Sequence, residues 1–229
     1  MPTRARPSRK RRSVKRPKRR HVQRPDIRAK LLDAAETLFR DEGYAAATTR
    51  RIASRVGMKH QVVFYYFDSH DDLLLALFRR EAESYRESLT AALNSNHPLR
   101  SMWEVISDPD VTKLGLEFMA LANHNDAVRA EIASNAETVR ALEAQAVARY
   151  LEHRGIRPRL SPQLVSILTN ALARLLVQES TLGIHAGHDE AEALVDNSLR
   201  NFETSGETDS GVKAIVDAMS STTDLRVPP

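Results

Sequence analysis

The chain has 229 residues, 41% of them hydrophobic and 28% charged, a composition that fits one large or two small globular domains able to bury a core unaided. It contains no cysteine, which excludes disulfides, thiolate metal sites and cysteine nucleophiles. No run approaches the roughly 18 consecutive apolar residues of a membrane helix, and the charged N-terminal stretch lacks the apolar segment of a signal peptide. A reducing, cytoplasmic location is therefore expected.

The net charge of +4 hides a strong asymmetry. Residues 1–25 hold twelve Lys or Arg and no acid, whereas the rest of the chain carries 22 basic and 30 acidic side chains, a net of −8. A stretch so basic and so poor in apolar residues is expected to stay an extended arm. Its natural counterpart is a polyanion, bound by release of condensed counterions. The other reading left open is an extension without a role.

Past Pro25, the apolar positions Ile27, Leu31, Ala34, Ala35, Leu38 and Phe39 mark one face of a helix that Asp26 can cap and Gly43 can end. Thr48 opens a short segment with Ile52, Ala53 and Val56 on one side, closed by Gly57. A third runs from about Lys59 to Phe67, with Val63 and Phe67 one turn apart. Ser69-His70-Asp71-Asp72 has the form of a capping box before a long amphipathic helix through Leu73, Leu74, Leu77, Phe78, Tyr85 and Leu89. Further helices are predicted near 98–107, 109–123, 125–153, 161–184 and 188–204, with Pro98, Pro109 and Pro162 at their starts. Residues 205–229 read as a loose tail. The predicted fold class is all-α, without strands or repeats.

The two short segments joined at Gly57 have the size and punctuation of a helix-turn-helix. The run Ala47-Thr48-Thr49-Arg50-Arg51-Ile52-Ala53-Ser54-Arg55-Val56-Gly57-Met58, followed by Val63-Phe64-Tyr65-Tyr66-Phe67-Asp68-Ser69 and Leu73-Leu74, resembles the TetR family of bacterial repressors over about residues 27–75. The resemblance implies a DNA-binding domain at 26–70, with its helix-turn-helix at about 48–67, and a helical ligand-binding and dimerisation domain at 71–204. It places Thr48 as the cap of the second helix, Thr49 at a phosphate contact and Arg50 where an arginine can bridge guanine O6 and N7. It leaves His60, Gln61, Val62 and Tyr65 directed at the groove, with Lys59, Tyr66 and His70 on the same DNA-binding surface. Three positions depart from the family pattern. Phe64 stands where a phosphate-binding Tyr is usual, with Tyr65 as its possible substitute; His70 stands where a Lys usually opens the fourth helix; and Gln61 replaces a small residue.

The same resemblance implies a homodimer through the last two long helices, a palindromic double-stranded DNA operator, and a small-molecule inducer. Residues 164–177 are apolar around most of their circumference, which demands burial on more than one side. Asn170, Arg174 and Gln178 form a narrow polar stripe on that helix, read either as pocket lining that could bind a carboxylate or carbonyl or as a solvent-facing or interfacial stripe. Met102, Trp103, Ile106, Phe118 and Met119 lie on the short central helices expected to wall the pocket, and they suggest a largely apolar ligand. His185 and His188-Asp189 read as surface rather than as metal ligands. No nucleophile elbow, phosphate loop or metal-hydrolase helix is present, and no cofactor or metal is implied. The leading reading is thus a ligand-responsive, dimeric repressor and not an enzyme. The alternative is a non-specific nucleic-acid-binding protein dominated by the basic arm.

Overall fold

The computed structural model describes residues 25–153, 155 and 160–204, so residues 1–24 of the basic arm and the tail at 205–229 lie outside it. Every regular element among the described residues is helical: α1 (Pro25–Glu42), α2 (Thr49–Arg55), α3 (Val63–Tyr66), α4 (His70–Leu93), α5 (Pro98–Ile106), α6 (Pro109–Ala122), α7 (Asp126–His153), α8 (Pro162–Thr181) and α9 (His188–Thr204). Single 3-10 turns at Tyr44–Ala46 and His60–Val62 precede α2 and α3.

The starts of these helices are set by side chains that satisfy free N–H groups. Thr48 accepts the Arg51 N–H, Ser69 that of Asp72, Asp108 those of Asp110 and Val111, and Ser161 that of Leu164. Asp72 in turn accepts the N–H of Asp68, the residue before the cap, at 3.0 Å, so the expected capping box is closed one residue early. Asp26 falls inside the first turn of α1 instead of capping it.

The predicted third helix is divided. His60–Val62 winds as a 3-10 turn, α3 proper occupies only Val63–Tyr66, and Phe67 is already extended. Adjacent valines and four consecutive aromatic residues are weak helix formers. This segment is held by its anchors, because Val63 and Phe67 are buried. Gly57, at φ 69°, makes the turn that brings α3 back toward α2, and the Met58 N–H closes it on the Ala53 carbonyl at 2.8 Å.

Two apolar cores organise the helices. The first joins α1, α2, α3, the first half of α4 and α6, and runs through Leu31, Phe39, Ile52, Leu74 and Phe118. Phe118 packs against Phe39 and Phe78 with ring centroids 4.6 and 5.1 Å away, within the range of favourable aromatic pairing. This core crosses residue 70. The N-terminal helices are therefore seated on α4 and α6 and do not stand apart from them. The second core gathers Leu89, Leu99, Met102, Ile106, Val147 and Leu151 between α4, α5, α7 and α8.

Candidate nucleic-acid interface and central cavity

The α2–turn–α3 unit presents a polar, basic outer surface because its inward positions, Ile52, Ala53, Val63 and Phe67, are consumed by the first core. Thr48, Arg50, Lys59, His60 and Gln61 are exposed, as are Phe64 and Tyr65 at 51% and 44%; Thr49 and Val62 are half-buried. Arg51 is committed elsewhere, holding both carboxylate oxygens of Glu42 at 2.7 Å. Arg50 has no such partner among the described residues and stands free at the start of α2.

Two of the predicted DNA-binding residues are tied to the protein itself. Tyr66 is half-buried against the first core, with its ring 5.0 Å from that of Tyr65 in an edge-on arrangement. His70 directs Nε2 to the Ala47 carbonyl at 2.7 Å. It thus fastens the first turn of α4 to the residue preceding the Thr48 cap. Arg55 and Phe64 add to this surface beyond the predicted set. Both are exposed; Phe64 directly follows the buried Val63, and Arg55 stands two residues after the buried Ala53.

A cavity of about 930 Å³ opens between α4, α5, α6, α7 and α8. Of the predicted pocket residues, Phe118, Met119, Asn170 and Arg174 line it. Met102 and Ile106 belong to the second core, and Trp103 lines a separate cleft of about 480 Å³ beside α9. Gln178 lies one turn past the cavity, exposed, with its carbonyl accepting the Thr181 hydroxyl.

The cavity contains a group that the sequence did not announce. Glu143 of α7 is 1% exposed; its Oε2 accepts from the Ser166 hydroxyl and from Asn170 Nδ2, the latter at 2.8 Å. Burial pushes its carboxyl above the ordinary glutamate range, against the opposing pull of those two donors and of Arg174 and Arg140. Tyr85, on the facing wall of α4, is likewise driven up by burial and by the proximity of Glu143. Beyond Glu143, the lining includes Glu81, Ser84, Ser88, Asn135 and Arg140, so it is considerably more polar than the Met and aromatic set suggested.

Between the cavity and the head lies a direct contact. The Tyr44 N–H, in the 3-10 turn leading into α2, donates to Glu117 Oε2 of α6 at 2.7 Å. Gly43 adopts φ 85° there, and a Cβ on it would come 3.2 Å from the same oxygen. The next turn of α6, at Leu114 and Phe118, walls the cavity.

At the other end of the bundle, His188 is buried with Nε2 2.9 Å from Glu179 Oε2 and Nδ1 3.4 Å from the Ser180 hydroxyl. It staples the start of α9 to the end of α8 and is not the surface residue expected. No group of three or more metal-ligating side chains occurs among the described residues. Nor is any described helix long and apolar enough to cross a membrane.

A helix-turn-helix seated on a bundle with an internal cavity defines the class of a helical DNA-binding transcriptional regulator, and comparison with known proteins agrees. Residues 31–77 match the family model of the bacterial regulatory proteins of the tetR family. The chain is 24% identical over 191 residues to the HTH-type transcriptional repressor AcnR of Corynebacterium diphtheriae, covering 80% of this chain and 84% of that relative. Its fold is similar to that of a transcriptional regulator from Saccharomonospora viridis in complex with choline, at TM-score 0.67 and 19% identity over 77% of this chain and 97% of that one. It is similar as well to FadR from Bacillus subtilis in complex with stearoyl-CoA, at TM-score 0.57 and 17% identity over 77% and 97% of the two chains. The match to the tetR family thus falls on the helix-turn-helix head, and the relatives that extend over more of the chain are DNA-binding transcriptional regulators.

Proposed function

We propose that this protein is a homodimeric repressor that binds a palindromic operator through α2 and α3 and leaves it when a small molecule occupies the central cavity. The observation that carries the reading is the exposed basic and polar surface of the head, with Arg50 free of any partner among the described residues. Arg50 is assigned to a guanine edge, Gln61 to an adenine and the Val62 methyls to a thymine methyl. Thr48, Thr49, Lys59, His60 and Tyr65 surround them at backbone or base edges. Tyr66 and His70 are kept in the set with a second duty, holding the head's shape. The head is residues 26–70 and the ligand-binding and dimerisation body residues 71–204, with α4 running through both cores and α6 packed into the first.

The dimer is supported by α8. Leu164, Leu168, Leu175 and Leu182 are all exposed and recur on one helical face, which is costly to leave in water. A second copy covering this stripe would form a four-helix bundle from two α8–α9 pairs. The ligand is small and amphipathic: Val111, Leu114, Met119 and Ile167 offer an apolar wall, and Glu143, Asn170 and Arg174 a polar one. The bound choline and stearoyl-CoA of the two similar structures support a cavity of this kind as a ligand site. Release of DNA is then a population shift between two head spacings. The basic arm at 1–25 would lie in the adjacent minor groove.

Sedimentation and footprinting together test this reading. A dimer protecting two half-sites one helical turn apart, ~34–36 Å, or a multiple of it, is the expected result. A monomer that protects no defined site would refute it. The second reading, a non-specific binder, is favoured by the twelve basic residues of the arm. It requires a steep salt dependence without sequence preference, and deletion of residues 1–24 would then abolish binding.

A further inference from the structure

We propose that the central cavity takes an organic cation, an amine carried on an apolar skeleton, and that Glu143 is the residue that pairs with it. This rests on the cavity being a ligand site. Glu143 is 1% exposed, yet only one of its two oxygens is satisfied within the protein. Oε1 is buried without any hydrogen-bond partner, while the residue lines the cavity. A buried carboxyl oxygen left unmatched is costly, and the cost falls when something in the cavity donates to it.

The charge of the lining selects a cationic donor. Five carboxyl side chains, Glu81, Glu104, Asp108, Asp110 and Glu143, face three guanidiniums, Arg40, Arg140 and Arg174. Arg40 is already engaged with Glu36 at 2.5 Å and Asp110 at 3.9 Å. Arg140 and Arg174 are solvent-exposed and form no ion pair with Glu143, so their effect on it is weakened by water. Tyr85, Phe78 and Phe118 line the same space, and aromatic faces attract cations. Ser166 and Asn170 hold Glu143 through Oε2, which restricts the carboxyl group before a ligand arrives and leaves Oε1 as the oxygen still to be matched.

Calorimetric titration of the full chain with decylamine, decanol and decanoate separates the alternatives, because the three share one apolar chain and differ only in the head group. Decylamine should bind about tenfold more tightly than decanol and decanoate, since a charge-assisted hydrogen bond is roughly twice as strong as a neutral one. Glu143→Gln, which keeps an acceptor for Ser166 and Asn170, should erase that preference, so that decylamine and decanol bind this variant equally. Decanoate binding tightest, and losing its affinity in Arg174→Gln, would overturn the cation assignment while the ligand site stands. Equal affinity for all three would overturn it too. Binding of none of them would remove the ligand-site reading itself. If Glu143→Gln fails to fold, the order of the three probes on the unaltered protein still decides.

Discussion

The contact between Glu117 and the Tyr44 N–H spans the head and the body and is open to a quantitative test. Glu117→Ala removes the carboxylate that accepts this N–H at 2.7 Å. Hydrogen bonds to a charged group contribute about 1.5–3 kcal/mol when well sheltered. Here the site is half-buried, so water can reach the freed amide, and the expected loss is about 1–2 kcal/mol. For a chain of this size that corresponds to a fall of roughly 2–8 °C in Tm. Urea unfolding of the full chain gives the value directly, and Glu117→Gln, which retains a neutral acceptor, should fall between the two. The same variants should bind DNA less tightly, because the turn that leads into α2 loses its anchor on α6. A change below about 0.5 kcal/mol, the level of an ordinary surface substitution, with unaltered DNA affinity, would refute the coupling.

Three further outcomes are expected. Phe118→Ala should cost about 3–5 kcal/mol in urea unfolding, because Phe118 fills the first core between Phe39 and Phe78; a loss under about 1 kcal/mol would mean that the core closes around the gap. Glu143→Gln should gain stability over the unaltered protein as pH rises. The folded carboxyl sits above its unfolded value, so its contribution is full below pH ~4.3 and is lost as pH climbs through the folded value; unfolding curves at pH 4 and pH 7 that differ by the same amount in both proteins would contradict this. Leu168→Glu combined with Leu175→Glu should give a monomer in sedimentation with the helical content of the parent, and a persistent dimer would move the interface elsewhere.

The helical architecture was legible because its signals are local. Thr48, Ser69, Asp108 and Ser161 cap helices where the sequence places them, and Pro98, Pro109 and Pro162 stand at the starts of α5, α6 and α8. The division of the third helix was not legible, because Val63 and Phe67 impose their burial on residues whose own preference for helix is weak. The cavity was half legible. A four-residue spacing identified Asn170 and Arg174, but spacing alone could not show that Gln178, one turn further on, lies past the cavity. Met102 and Ile106 have the character of either core or pocket, and tertiary packing of α5 on α4 decided for core. Glu143 was missed for a different reason. It stands one turn from Val139 and one turn from Val147 on the buried face of α7, so the apolar repeat marks the position as internal, but an acid there reads by residue type as surface. The continuity of the first core across residue 70 was equally silent, since contacts between α1 and α6 join residues far apart in sequence.

The central claim is that α2 and α3 read DNA sequence. Selection of bound duplexes from a random pool, with full-length protein at near-physiological salt, tests it most directly. A palindrome should be enriched, and Arg50→Ala should relax preference at one base position in each half-site, at a cost of about 1–3 kcal/mol. Binding with no sequence enriched, or a selected palindrome unchanged in Arg50→Ala, would contradict the account.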